Sequence, residues 1–525
     1  MQSNPGKQPP IPVVETLSVE PSSSADRIAI FGFLGLYAVI LALVTQKHEM
    51  YMDEAQAWLV SRDHSNIFDL IHHLRYEVHP ALWYLLLYIP AHLHFPMVSA
   101  QIINYALSLA AAWMILSYRR IPLIVRVLLL YGLLFFFMGV IARSYMLACV
   151  LLIGAARCLL AEHQRYWTAM VLLALAINTH LFAIPVAAGI FFWLAWFAPS
   201  ESSKSAIEKL KEQKFWLSVG ILGMALLACF FTIRPAPDIS VPEYVIAHTT
   251  KIDYLLLGIG KMWGYFLPFR WEMLSSANQY VGASQARAEV LNALITICLL
   301  LLALSVLPGR RSRWFMISVS LLWMAAVWPS VHVPLQSHST FIIMSYIIAL
   351  MIGATDDHDG PWLADHFSWP LLLLLLCMQV SLCVTYSVQE WGRPFSGAKS
   401  AATWLQSSGL DQRPLIFQSG MPGPAILGYT GVASAYYASC RCRGSFLMFN
   451  SGWGDRRQTS AEELRAVHRQ FNSAPILVSQ WQIDNVTLER LGLRFLYASP
   501  KGWAWDNENV FIYDSVREPV ADASE

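Results

Sequence analysis

The sequence predicts a polytopic α-helical membrane protein of about eleven transmembrane helices, closed by a small extracytoplasmic α/β domain at its C-terminal end. Three observations predict this. Of 525 residues, 56% are hydrophobic and only 14% are charged, against roughly 25% charged in an ordinary soluble domain. Apolar runs long enough to cross a hydrocarbon core of ~30 Å recur along residues 28–390. After residue 390 those runs give way to alternating strand and helix patterns. A net charge of +1, with no basic stripe outside the loops that flank the spans, argues against a nucleic-acid partner.

Residues 1–27 are rich in Pro and Ser and hold neither an apolar core nor an A-x-A site before Arg27, so they read as a disordered cytoplasmic tail. Spans are then expected near 28–46, 98–117, 121–140, 144–161, 166–181, 182–198, 215–233, 288–307, 314–329, 339–354 and 369–388. The run at 80–95 starts at Pro80 and contains Pro90, His92 and His94. It reads as a surface helix, because only then do the loops carrying Arg119, Arg120 and Arg126, Arg157 and Arg165, Lys204 to Lys214, and Arg310, Arg311 and Arg313 share one side. That side is expected to be the cytoplasm, in a cell (inner) membrane, with residues 394–525 on the other side.

The same arrangement gathers polar chemistry on the extracytoplasmic face. Loop 47–97 brings Asp53 and Glu54, with Arg75, Glu77 and His79; later turns add Arg143, Tyr145 and His180; the long loop 234–287 adds Lys251, Lys261 and Arg270. Charge beside a bilayer is costly unless it meets water, a cation or a substrate. Guanidinium groups suit a lipid phosphate, and a carboxylate suits removal of a proton from an acceptor hydroxyl. Plainer readings stand beside these: a helix cap for the acidic pair, a snorkelling Arg143, a core His180, and a solvated Arg75 and Glu77 pair.

At these residues the sequence resembles the GT-C membrane glycosyltransferases, the group of the protein O-mannosyltransferases, the lipid A aminoarabinose transferases and the RgtA/B/C/D-like bacterial proteins. The resemblance rests on Asp53 and Glu54 after the first span, His79-Pro80 opening an aromatic helix, the turn Ala142 to Tyr145, and Asn178 to Phe182. It covers roughly residues 28–200; beyond that, only the span pattern matches. It implies a GT-C-like fold, a polyprenyl-phosphate sugar donor, an inverting transfer to a glycan, lipid or protein acceptor, and an extracytoplasmic site. Asp53 would then be the base supported by Glu54, with Arg75, His79 and Arg143 near the donor phosphate and Glu77, Tyr145, His180 and Arg270 around the substrates. Ala81 stands where many relatives carry a second proline, and Gln101 and Asn104 where they carry an arginine. No protein metal site is expected; a divalent cation accompanying the phosphate is left open. A transporter or flippase of lipid-linked saccharides, or a non-catalytic envelope assembly protein, are the alternative functions.

In residues 394–525, GAKSAATWLQSSG reads as a helix stopped at Gly409, and SAEELRAVHRQF as a helix capped by Ser460 with Glu463 in the capping-box position. Strands are expected at 414–418, 475–479, 493–498 and 510–514, giving a small α/β layer. No G-x-G-x-x-G or P-loop pattern points to nucleotide use. The aromatics Trp453, Trp481, Trp503 and Trp505 read as sugar contacts or as packing. Cys440 and Cys442 form a CxC without a second cluster, a weak metal or redox signal.

Overall fold

The computed structural model describes residues 24–132, 134–196, 208, 211–239, 294, 297–298, 300–327, 336–355, 368–418, 420–450, 460–471, 473–503 and 509–515. The described chain is mostly helical. In order, the helices of the apolar region are α1 (Ser24–Lys47), α2 (Met52–Asp63), α3 (Ile67–Glu77), α4 (Leu82–His92), α5 (Ser99–Leu116), α6 (Leu123–Leu130), α7 (Ser144–Leu160), α8 (Tyr166–Ile177), α9 (Ala183–Ile190), α10 (Gln213–Ile233), α11 (Arg310–Val327), α12 (Gln336–Gly353) and α13 (Ser368–Gly392).

Among the described residues, four helices are long and apolar enough to cross a membrane: α1, α5, α10 and α13. The eleven crossings expected from the sequence are therefore not what the helices show. Uniform apolar runs do not guarantee unbroken helices. The run 121–140 divides into α6 and a π-helix at Phe135–Val140, and α9 passes into a second π-helix at Phe191–Trp196. Five further apolar helices fall short of the spanning length, α4, α7 and α8 among them. At 1.5 Å per residue the 11-residue α4 is about 16 Å long, half the ~30 Å hydrocarbon core. The expected span 288–307 lies partly outside the described residues, and Lys251, Lys261 and Arg270 lie outside them altogether.

The apolar exteriors of α1 and α10 leave Ile28, Phe31, Met224 and Phe231 exposed at 58–72%. On a protein in water such patches are a liability; here they are the surface that lipid would cover. Inside, α7 is buried along its length by Met146, Leu152 and Ala156, and α12 is buried likewise by Met344, Ile348 and Met351.

The C-terminal unit is a six-stranded sheet with helices α14 (Ala398–Ser407), α15 (Gly423–Thr430), α16 (Ala461–Phe471) and α17 (Asn485–Leu491). Its strands β1 (Leu415–Phe417), β2 (Ala435–Tyr437), β3 (Cys442–Gly444), β4 (Ile476–Ser479), β5 (Arg494–Ala498) and β6 (Phe511–Asp514) lie in the order β3-β2-β1-β4-β6-β5. The centre, β2-β1-β4, is parallel and the flanking pairs are antiparallel. A parallel centre needs both faces covered, which is why Leu415, Ile416, Phe417 and Ile476 to Val478 are all buried. The expected capping box is present: Glu463 N–H donates to Ser460 Oγ at 3.1 Å, and Ser460 N–H donates to the Glu463 carboxylate at 2.9 Å. Gly409 adopts φ 66°, the left-handed conformation that ends α14. Cys440 and Cys442 are joined as a disulfide at the turn between β2 and β3.

Candidate functional site

The acidic pair divides its labour. Glu54 lies three residues into α2 and its carboxylate is fully enclosed. It accepts from Ala142 N–H at 2.6 Å, from Tyr51 N–H at 3.2 Å and from His48 Nε2 at 2.8 Å. The other face of His48 meets Glu390 at 3.2 Å, and Glu390 in turn accepts from Trp503 Nε1 at 3.0 Å. Burial works against charge on His48, yet Glu54 and Glu390 outweigh it and raise its pKa to about 10. His48 is thus an imidazolium between two carboxylates. A buried charge without such partners would cost several kcal/mol, so this chain of groups is a fastening between the first loop, the end of α13 and the C-terminal unit.

Asp53 turns elsewhere. Its carboxylate forms an ion pair with Arg143 and accepts from Tyr51 Oη at 3.1 Å, while 28% of its side-chain surface stays accessible. Arg143 is only 12% accessible. Burial opposes its charge, but the Asp53 carboxylate and the rings of Tyr145 and Tyr51 more than compensate and keep it protonated. Its guanidinium lies 5.2 Å from the centre of the Tyr145 ring and 3.3 Å from His79 Nε2.

The turn that presents Arg143 is held from two sides. The π-helix at Phe135–Val140 leaves carbonyls without helical partners in apolar surroundings, which is expensive. Asn104 of α5 places its Nδ2 at 2.9, 2.7 and 3.2 Å from the carbonyls of Met138, Gly139 and Ile141. Glu54 takes the Ala142 N–H from the other side. A polar residue on an apolar span and a buried carboxylate together set where the cation sits.

His79 is brought in by a second route. Leu82 N–H donates to Asn178 carbonyl at 2.9 Å, which ties the start of α4 to the turn before α9. His79 Nδ1 lies 2.5 Å from the Glu77 carbonyl, so the proton sits there and Nε2 faces the guanidinium as an acceptor. Burial first and Arg143 second push its pKa below the ordinary imidazole value. His79 is a neutral acceptor and orienter, and the cationic role falls to Arg143. His180 is 6.1 Å from the His79 ring and 4.9 Å from Tyr145, with Phe341 stacked on it at 5.1 Å. Its Nδ1 accepts from Phe182 N–H, and burial, then His338, hold its pKa well below 6.5. It forms a neutral wall.

Two expected residues stand apart. Arg75 donates to Arg234 carbonyl at 3.3 Å and is half-buried, beside Tyr76, whose hydroxyl meets Asp238 at 2.8 Å. Glu77 is a buried support: it accepts from Gln56 at 2.7 Å and lies 3.4 Å from Tyr84 Oη. Gln56 also pairs with both backbone groups of Leu447, at 2.8 and 2.9 Å, as a neighbouring strand would.

No protein-family model, curated protein or solved structure matches the chain. The site therefore stands on its own chemistry. Among the described residues no group of three or more His, Cys, Asp or Glu side chains is placed to hold a metal ion. Sequence reasoning missed His48, Tyr51 and Glu390. The signal for two of them was present: His48 directly follows the first apolar run, and Glu390 ends the last. An acid at the close of a spanning helix asks for a partner.

Proposed function

We propose that the chain is an inverting, GT-C-like membrane glycosyltransferase, moving a sugar from a polyprenyl-phosphate donor to an extracytoplasmic glycan, lipid or protein acceptor. One observation carries this reading: a partly accessible carboxylate, Asp53, is paired with a mostly buried guanidinium, Arg143, at the edge of an apolar helix bundle. A donor phosphate would compete with Asp53 for Arg143, since charge-assisted bonds to phosphate use the same fork of donors. Its arrival would free the carboxylate to take the acceptor's proton as the anomeric carbon is attacked and the lipid phosphate departs. His79 would hold the guanidinium plane, and Tyr145 would cover its face. The apolar flanks of the bundle suit a polyprenyl tail that remains in lipid.

The disulfide between Cys440 and Cys442 supports an oxidising, extracytoplasmic compartment for the C-terminal unit. A saccharide transporter is less well supported, because ionisable groups of the site lie at helix ends and in turns instead of along the middle of spans. A non-catalytic assembly role draws on the Asp53 and Arg143 pair itself, which could merely staple the turn to α2.

Donor binding separates these. Membranes carrying Arg143→Ala should bind a labelled polyprenyl-phosphate sugar at least tenfold more weakly and transfer it correspondingly slowly, with little change in thermal stability, and Arg143→Lys should rescue poorly. Undiminished donor binding by Arg143→Ala would rule the assignment out.

A further inference from the structure

We propose a second site, at the opposite end of α7, that binds the phosphate of an anionic glycerophospholipid. Helix α7 has 17 residues, so its C-terminal end lies about 25 Å from Arg143. There the start of α1, the end of α5 and the end of α7 border an open cleft of about 670 Å³. Among the described residues Arg27, Arg119, Arg120 and Arg157 line it, with the carboxylate of Glu162. A smaller cleft of about 210 Å³ shares Arg120 and Glu162 and adds Arg311.

Two features make this more than a basic loop. Arg157 is a positioned cation: its Nη1 donates to Met114 carbonyl at 2.6 Å and to Ser117 Oγ at 2.7 Å, and its guanidinium lies 5.8 Å from the Tyr118 ring centre. The cleft's outer wall is apolar: Phe31 and Trp113, 60% and 43% exposed, face each other at 5.7 Å on the bundle's exterior. Excess positive charge in the loops orients a chain in the membrane, but orientation does not require arginines to line a cleft or aromatic rings to border it. A soluble phosphate would match the cations and leave the rings unused. A phospholipid uses both, with its headgroup among the guanidinium groups and an acyl chain along Phe31 and Trp113, and cationic pockets between helices suit such headgroups. The proposal rests on membrane embedding and not on glycosyl transfer.

The test is native mass spectrometry of the full chain released from nanodiscs of phosphatidylglycerol mixed equally with phosphatidylcholine. Wild type should retain phosphatidylglycerol at least fivefold over phosphatidylcholine, and glycerol phosphate added at millimolar concentration should not displace it. Arg119 and Arg120 are exposed, so Arg119→Gln with Arg120→Gln should fold and lose at least four-fifths of the retained lipid. Arg310→Gln, an exposed cation that lines neither cleft, should lose none. Equal retention of both lipids, full retention by the double variant, equal loss in Arg310→Gln, or displacement by glycerol phosphate would each overturn the proposal.

Discussion

Successive residues of an α-helix point about 100° apart, and that rotation gives Asp53 and Glu54 different surroundings. Glu54 faces inward to His48, Ala142 N–H and Tyr51 N–H; Asp53 faces the partly open side with Arg143. The imidazolium of His48 has a consequence in solution. Its folded pKa, about 10, exceeds the ordinary 6.5, so its contribution is complete below about pH 6.5 and is lost as pH rises through 10. Glu49, half-buried nearby, works in the same sense over a lower window: burial raises it from 4.5 to about 7 against the pull of Lys399. Thermal stability should therefore fall as pH rises from 5 to 10. In His48→Gln the loss between pH 7 and 10 should largely vanish while the loss below pH 7 persists, a difference that melting curves in detergent would read.

At the scale of elements, the sequence reveals most where local chemistry decides. Ser460 and Glu463 make the capping box their spacing promises, and Pro90 with its flanking histidines marks α4 as short. The two strands β2 and β3 were not legible, because three residues each leave no room for an alternating pattern. Helix α17 was legible and missed: Asp484 accepts from Thr487 N–H at 2.9 Å and Gly492 closes the helix at φ 64°. The break at Phe135–Val140 had no local signal, since its residues are uniformly apolar and its partner, Asn104, comes from α5. That dependence makes a prediction. Asn104→Leu keeps the volume and strands buried carbonyls, each worth about 1–3 kcal/mol when left without a donor. It should lower the melting temperature by several degrees and reduce donor binding as well, because the turn carrying Arg143 loses one of its two fastenings. Unchanged donor binding in a destabilised Asn104→Leu would uncouple that turn from the site.

For the whole molecule, the C-terminal unit is docked on the first loop by polar contacts that no single element could announce. Met50 N–H donates to Tyr429 Oη at 2.7 Å, Gln56 pairs with Leu447, and Trp503 reaches Glu390. Trp503 also stacks on Tyr386 at 5.7 Å, so this tryptophan packs the joint; Trp453 and Trp505 lie outside the described residues. A unit docked this way shares the membrane face of Asp53, and the basic cleft lies at the other end of α7. Lys211→Cys, just ahead of α10, should accordingly be labelled by an impermeant maleimide only after the membrane is opened, and Ser408→Cys, after α14, in intact cells. Labelling of both from the same side would contradict the topology.

The central claim is that Asp53 performs proton transfer while its neighbour holds the structure, and paired substitution tests it most directly. Transfer of labelled sugar from a polyprenyl-phosphate donor is measured in membranes carrying Asp53→Asn or Glu54→Gln, with protein level and melting temperature followed in parallel. Asp53→Asn should lose some stability, because Arg143 is left without its counter-charge, and should lose ~10²- to 10⁴-fold in rate per folded protein, the usual worth of a positioned base. Glu54→Gln should lose stability first, since it leaves His48 with a single counter-charge, and the protein that remains folded should still transfer sugar. Wild-type turnover by Asp53→Asn would contradict the account and leave the Asp53 and Arg143 pair as a structural staple.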